Sequence, residues 1–343
     1  MERIWRKHET YVLIAIVILS IVITAINPSF LTLENLLDLM KSYSFLGILS
    51  VGVLVVLISG GIDISFTAVA TVAEYVMAVI ITRHTGNIAL AFVIAATIGI
   101  MLGLVNASLI YFFHIPTVIA TIGTLNIFYG LLIVFSGGKW IYTLPEWFAR
   151  FSEIRVLTFH NAEGIAFGLS ITTFLWILMM LFAAIILRYT ALGRKIYAVG
   201  GCGFDKGPAR RAGINLFKVH VFVYSFMGFT AGVAGVVQAL LVQTVAPNSI
   251  VGKELDVIAA VVLGGASLAG GVGSVFGTFL GVMLLAFLSN GLTLMRVPSY
   301  WYDVAIGLVI IISVSASALQ QRRRRRRAIS IEEETPAEAA EEA

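Results

Sequence analysis

Charge is scarce in this chain of 343 residues: only 12% of them are Asp, Glu, Lys or Arg. A water-soluble globular domain carries about 25%. The shortage deepens on inspection, because Arg322 to Arg327 and six glutamates at the C-terminus leave 30 of the 42 charged residues for the first 321 positions. A protein whose whole surface faces water is excluded, and the 59% hydrophobic content indicates a membrane protein. Cysteine is nearly absent. The single Cys202 rules out an internal disulfide and any multi-cysteine metal site. Catalytic signatures are missing as well. Gly138-Lys139-Trp140 has neither the upstream glycine nor the hydroxyl residue of a phosphate-cradling loop, and there is no G-x-S-x-G elbow or H-E-x-x-H pair. The expectation is a protein without an enzymatic site, metal or cofactor of its own. The formal net charge of +4 does not point to nucleic acid, since the basic excess lies in short segments next to apolar spans.

What the chain has in abundance is apolar runs. Crossing a bilayer core about 30 Å thick takes roughly 20 apolar residues in a helix. About ten candidates meet that need, giving an all-α polytopic integral membrane protein. They run near Tyr11–Ile26, Ser42–Ser59, Ile62–Thr82, Ile88–Phe113, Pro116–Phe135, Leu169–Leu187, Phe217–Leu241, Leu255–Leu268, Val272–Leu294 and Tyr300–Leu319. The first follows Arg3, Arg6 and Lys7 and lacks a small-residue cleavage site, so it reads as a retained anchor. With both termini cytoplasmic, 16 basic residues fall inside and seven outside, as the positive-inside rule requires. The expected organisation is a basic N-terminus (1–10), a transmembrane domain (11–320) and a disordered Arg-rich, then acidic, cytoplasmic tail (321–343). Within the domain, residues 136–168 form an external loop and 188–213 a cytoplasmic one. The external loop reads either as a surface-lying helix or belt, or as a contact surface for an extracytoplasmic partner.

Glycine patterns add architecture. Broken or re-entrant segments are expected near Gly60-Gly61 and through Gly264–Gly271, where the backbone is too glycine-rich for a continuous helix. Gly99 and Gly103, Gly228 and Gly232, and Gly273, Gly277 and Gly281 recur every four residues, a spacing that lets helices approach closely.

Polar groups inside spans are costly and mark a pathway or a partner. Asp63, Thr67, Thr71 and Glu74 share one helix face, forming a stripe that either lines an aqueous conduit or bonds to neighbouring helices. Asp63 also reads as a helix N-cap after the glycine break. Asn106, Thr124, Asn126, Gln238 and Asp303 are further polar residues in apolar surroundings, suited to interhelical hydrogen bonds or a hydrated interior. His114 and His220 lack partners at metal-ligand spacing and read as structural.

The cytoplasmic loop carries a resemblance. Ala191 to Gly201, reading Ala-Leu-Gly-Arg-Lys-Ile-Tyr-Ala-Val-Gly-Gly, followed by Ala209 to Ile214, resembles the loop of permease subunits of ribose-type ABC importers, a group related to branched-chain amino acid permeases. Ser59 to Ser65, Pro116 to Leu125, and Val262 to Ser274 resemble that family's early, middle and late motifs, in order. The resemblance implies a permease subunit of an ATP-binding-cassette importer for a sugar or sugar-like small polar solute, in a prokaryotic cytoplasmic membrane. It further implies a second permease copy or sister permease, cytoplasmic ATPase subunits holding ATP and magnesium, and an extracytoplasmic solute-binding protein. Asp205, Lys206, Pro208, Arg210, Arg211 and Gly213 would then form the segment docking on the ATPase. Where relatives often read Asn-Pro-Glu-Ala-Ala, this loop reads Gly203-Phe204-Asp205-Lys206-Gly207-Pro208-Ala209, which suggests a specialised ATPase partner. A branched-chain amino acid or nucleoside importer, or a stand-alone transporter coupled to ions through Glu74, are the alternatives.

Overall fold

The computed structural model describes residues 2–84, 86–160, 164, 166–203, 207–298, 300–308 and 311. Among them the chain is a helical bundle with one small hairpin. Helix α1 (Glu2–Ile26) leads through a 3-10 turn at Pro28–Leu31 into α2 (Leu33–Ser42) and α3 (Ser44–Ile58). The two turn at Tyr43 and cross at 56°. Helices α4 (Phe66–Arg83), α5 (Ile88–Phe113) and α6 (Thr117–Ser136) follow. The starts carry the polar caps that orphaned N–H groups require: Asn87 accepts from Leu90 N, Thr32 from Asn35 N, and Ser274 from Gly277 N. The stops use left-handed residues, His114 (φ 54°) after α5 and Gly137 (φ 60°) after α6.

The loop from 136 to 168 differs from a simple belt. It holds a short helix, α7 (Glu146–Ser152), and strand β1 (Arg155–His160), which pairs antiparallel with β2 (Ala166–Ser170). Alternating Val156, Thr158 and Leu157, Phe159 favour extended backbone. A Cβ on Gly168 would lie 1.9 Å from Leu157 O, so this pairing admits only glycine there. Then come α8 (Ile171–Tyr189), α9 (Ala191–Gly201), α10 (Gly207–Arg211), α11 (Leu216–Val242), α12 (Glu254–Leu263) and α13 (Val275–Leu294).

Among the described residues, seven helices are long and apolar enough to cross a membrane, or eight with the bent α2–α3 pair taken as one. The expected ten therefore include two that are not straight continuous spans. The stretch at Ser42–Ser59 is α3, 15 residues beyond a bend, and that at Leu255–Leu268 is α12, only ten residues long. Ten residues rise about 15 Å, half of a bilayer core. The candidate at Tyr300–Leu319 lies only partly within the described residues, and the tail lies outside them.

Every residue of α3 is buried, with α8, α11, α12 and α13 packed around it. Its hydrophobicity on all sides suits a helix enclosed by others. Against it, α11 also packs on α4 and α5. The paired glycines meet one another at the α5–α11 crossing: a Cβ on Gly99 would sit 2.0 Å from Gly228 O, and one on Gly103 2.2 Å from Tyr224 O. Likewise, α13 lies close on α12, with a Cβ on Gly281 falling 1.9 Å from Ala260 O. Without a hydrophobic drive between lipid-solvated helices, such close backbone approach supplies the packing energy.

Candidate functional site

The glycine break before α4 is real and organised. Gly60 is left-handed (φ 80°), and the chain is irregular until α4 begins at Phe66. Asp63 does not cap α4 directly; Ser65 occupies that position. Instead Asp63 Oδ1 accepts from Ser65 N at 2.8 Å and Ser65 Oγ at 2.6 Å, closing a turn just ahead of the helix. Ser65 Oγ in turn accepts from Asn106 Nδ2 on α5 at 2.7 Å. The start of α6 satisfies the exposed backbone: Ile62 N donates to Thr117 Oγ1 at 3.1 Å, and Thr121 Oγ1 donates to Ile62 O at 3.4 Å. Tyr224 of α11 packs against the break from the side, its hydroxyl 2.7 Å from where a Cβ on Gly61 would lie. Asp63, Ser65 and Asn106 thus form one buried network, with Thr121 buried beside it on the Ile62 carbonyl.

The stripe on α4 faces protein. Thr67 donates to Glu254, the first residue of α12. Thr71 donates to the Thr67 carbonyl of its own helix at 2.7 Å. Glu74 is 0% exposed, and its Oε2 accepts from Ser249 Oγ at 2.7 Å. Its Oε1 has no hydrogen-bond partner among the described residues. The connection between α11 and α12 therefore lies along α4, fixed by two reciprocal hydroxyl–carboxylate contacts. Beside them Lys253 pairs with Asp256 at 3.5 Å.

Other expected residues stand apart. Thr124 is buried on α6 and bonds to Thr121 O, whereas Asn126 is exposed and donates to Ile122 O of its own helix. Gln238 is half-buried on α11. Ser249, Glu254, Lys253 and Asp256 were missed by sequence reasoning. Their signal was the cluster Lys253-Glu254-Leu255-Asp256 at the mouth of a short apolar run.

In the loop after α9, Asp205 and Lys206 lie outside the described residues. Pro208 is the second residue of α10, where a missing N–H costs nothing. Ala209 is buried while Arg210 and Arg211 are exposed, and Gly213 (φ 77°) ends the turn with its N–H on Arg210 O at 3.0 Å. Two guanidinium groups on a turn anchored by a buried alanine can make charge-assisted contacts with carboxylates of another protein. No group of three or more metal-ligating side chains occurs among the described residues.

A polytopic helical bundle with polar helix breaks, a carboxylate-bearing inner stripe and a basic turn between α9 and α11 fits a multi-pass membrane transport subunit. The chain belongs to the family described as the permease component of the branched-chain amino acid transport system, whose profile matches residues 35–314. It is 33% identical over 305 residues to the ribose import permease protein RbsC of Escherichia coli K12, covering 87% of this chain and 90% of that protein. The RbsC of Haemophilus influenzae is 33% identical over 299 residues, covering 87% and 89%. The autoinducer 2 import system permease protein LsrC of Enterobacter sp. strain 638 is 32% identical over 311 residues, covering 90% and 86%. No solved structure gives a significant match. The chain is thus a multi-pass inner-membrane permease of the ABC importer class.

Proposed function

We propose that this chain forms the translocation path for a sugar or sugar-like small polar solute in an importer driven by separate cytoplasmic ATPase subunits. The observation that carries this reading is similarity, over 87–90% of the chain, to import permeases whose names specify ribose and autoinducer 2. In this reading the ATPase holds ATP and magnesium, an extracytoplasmic binding protein delivers the solute, and a second or sister permease completes the path. Both termini are cytoplasmic, which places α10 on the ATPase side. There Arg210 and Arg211, with Pro208 and Gly213 shaping the turn and Asp205 and Lys206 preceding it, dock on the motor. The wall of the path is the α4 stripe of Thr67, Thr71 and Glu74, together with Ser249 and Glu254. Asp63, Asn106 and Thr124 support its inner end, with Asn126 and Gln238 on neighbouring helices.

Reversing Arg210 and Arg211 to Glu should detach the ATPase in co-purification and abolish uptake while leaving membrane insertion intact. Uptake into liposomes by the purified chain alone, without ATP, would overturn the reading. The family description itself favours a second cargo, a branched-chain amino acid, and a ligand screen of the binding protein separates the two.

A further inference from the structure

Three segments distant in sequence meet backbone to backbone: the end of α3, the last turn of α9, and the glycine turn between α12 and α13. Gly271 N donates to Ile58 O at 2.9 Å. The same carbonyl lies 1.7 Å from where a Cβ on Gly200 would be. A Cβ on Gly270 would fall 2.6 Å from Gly60 Cα and 2.8 Å from Gly200 O, and one on Gly271 2.7 Å from Gly201 Cα. Gly270 (φ 89°) and Gly271 (φ 72°) are also left-handed, so the turn is constrained both by its neighbours and by its own backbone. One turn earlier on α9, the Tyr197 hydroxyl donates to Gly273 O at 2.8 Å.

These contacts contain almost no side chain that can rotate aside. A displacement of α9 toward the two turns must carry them with it, because backbone in contact cannot interpenetrate, and on withdrawal the Tyr197 hydrogen bond pulls on Gly273. The two turns lead to the same place. Past Gly60 the chain enters α4, and from the other turn it runs back through α12 to Glu254, which receives the Thr67 hydroxyl.

We infer that Tyr197, Gly200 and Gly271 are positioning residues that tie the two broken segments to α9, so that both segments move together. This rests on the ATP-driven reading above. Motion imposed on α9 by a motor enters α4 and α12 at once and reaches the polar stripe from both sides. A loop attached to only one break would tilt one wall of the path and leave the other behind.

The test is the number of ATP molecules hydrolysed per solute moved, measured on the full chain co-purified with its ATPase and reconstituted with its binding protein. Tyr197→Phe keeps the ring and removes the hydroxyl that donates to Gly273 O. It should raise the ATP cost per solute about five- to tenfold, with ATPase co-purification unchanged. Gly271→Ala should shift the ratio further in the same direction. Gly201→Ala places its Cβ in open space and should leave the ratio at the wild-type value. Should Gly271→Ala fail to fold, Tyr197→Phe alone decides. ATP-dependent uptake at the wild-type ratio in Tyr197→Phe overturns the inference and spares the importer reading. Uptake that never needs the ATPase overturns both.

Discussion

Two contact regions of this bundle are built from opposite materials. Where α3, α9 and the α12–α13 turn converge, glycine backbone meets glycine backbone, and Ile58 O lies within 2.9 Å of Gly271 N. Where the α11–α12 connection lies along α4, the contacts are side chains: Ser249 on Glu74 and Thr67 on Glu254. Hard backbone contact transmits displacement but cannot be exchanged. A hydroxyl–carboxylate bond can be given up and remade with another donor, including a hydroxyl of a passing solute. The first region suits a linkage and the second a surface that opens.

The sharpest way to break this contrast is Gly200→Val. Its Cβ would lie 1.7 Å from Ile58 O, so overpacking should destabilise by about 3 kcal/mol or more, read as a large fall in melting temperature of detergent-purified protein. A near-normal melt would show that the junction yields. A middle effect belongs to the side-chain region. Thr67→Ala with Ser249→Ala should cost about 1–2 kcal/mol in total, since single hydrogen bonds between membrane helices average about 0.6 kcal/mol and the carboxylates lose partners. Glu74→Gln keeps an acceptor for Ser249, so it should melt close to wild type and retain uptake. Loss of uptake at normal stability would show that transport needs the charge of Glu74 itself. The smallest effect is Asn126→Ala, within about 0.5 kcal/mol by the same melt, because its side chain bonds only to its own helix.

The sequence reading anticipated both glycine breaks and the pairing of close-packed glycines, because left-handed backbone and missing Cβ atoms leave a direct trace in residue type. Helix composition likewise revealed the spans, but it could not distinguish a straight span from the bent α2–α3 pair or from the short α12, since apolar length alone carries no angle. The hairpin at Arg155–Ser170 escaped because its pairing depends on register across a turn. On the stripe, Thr67 and Glu74 were visible at helical spacing. Their partners Glu254 and Ser249 lie 187 and 175 residues further on, and no local pattern links them. Asn126 shows the reverse: polar in an apolar run, it is satisfied by its own turn.

That separation of 175 residues between Glu74 and Ser249 has a consequence for biosynthesis. As the nascent chain leaves the ribosome, α4 reaches the bilayer long before the segment that will hold its carboxylate exists. Through the insertion of α5, α6, α8 and α11 its carboxylate awaits a late arrival, as Asn35 of α2 awaits Asn290. A chain cut short before residue 249 would contain most of its apolar spans and still expose an unmatched acid.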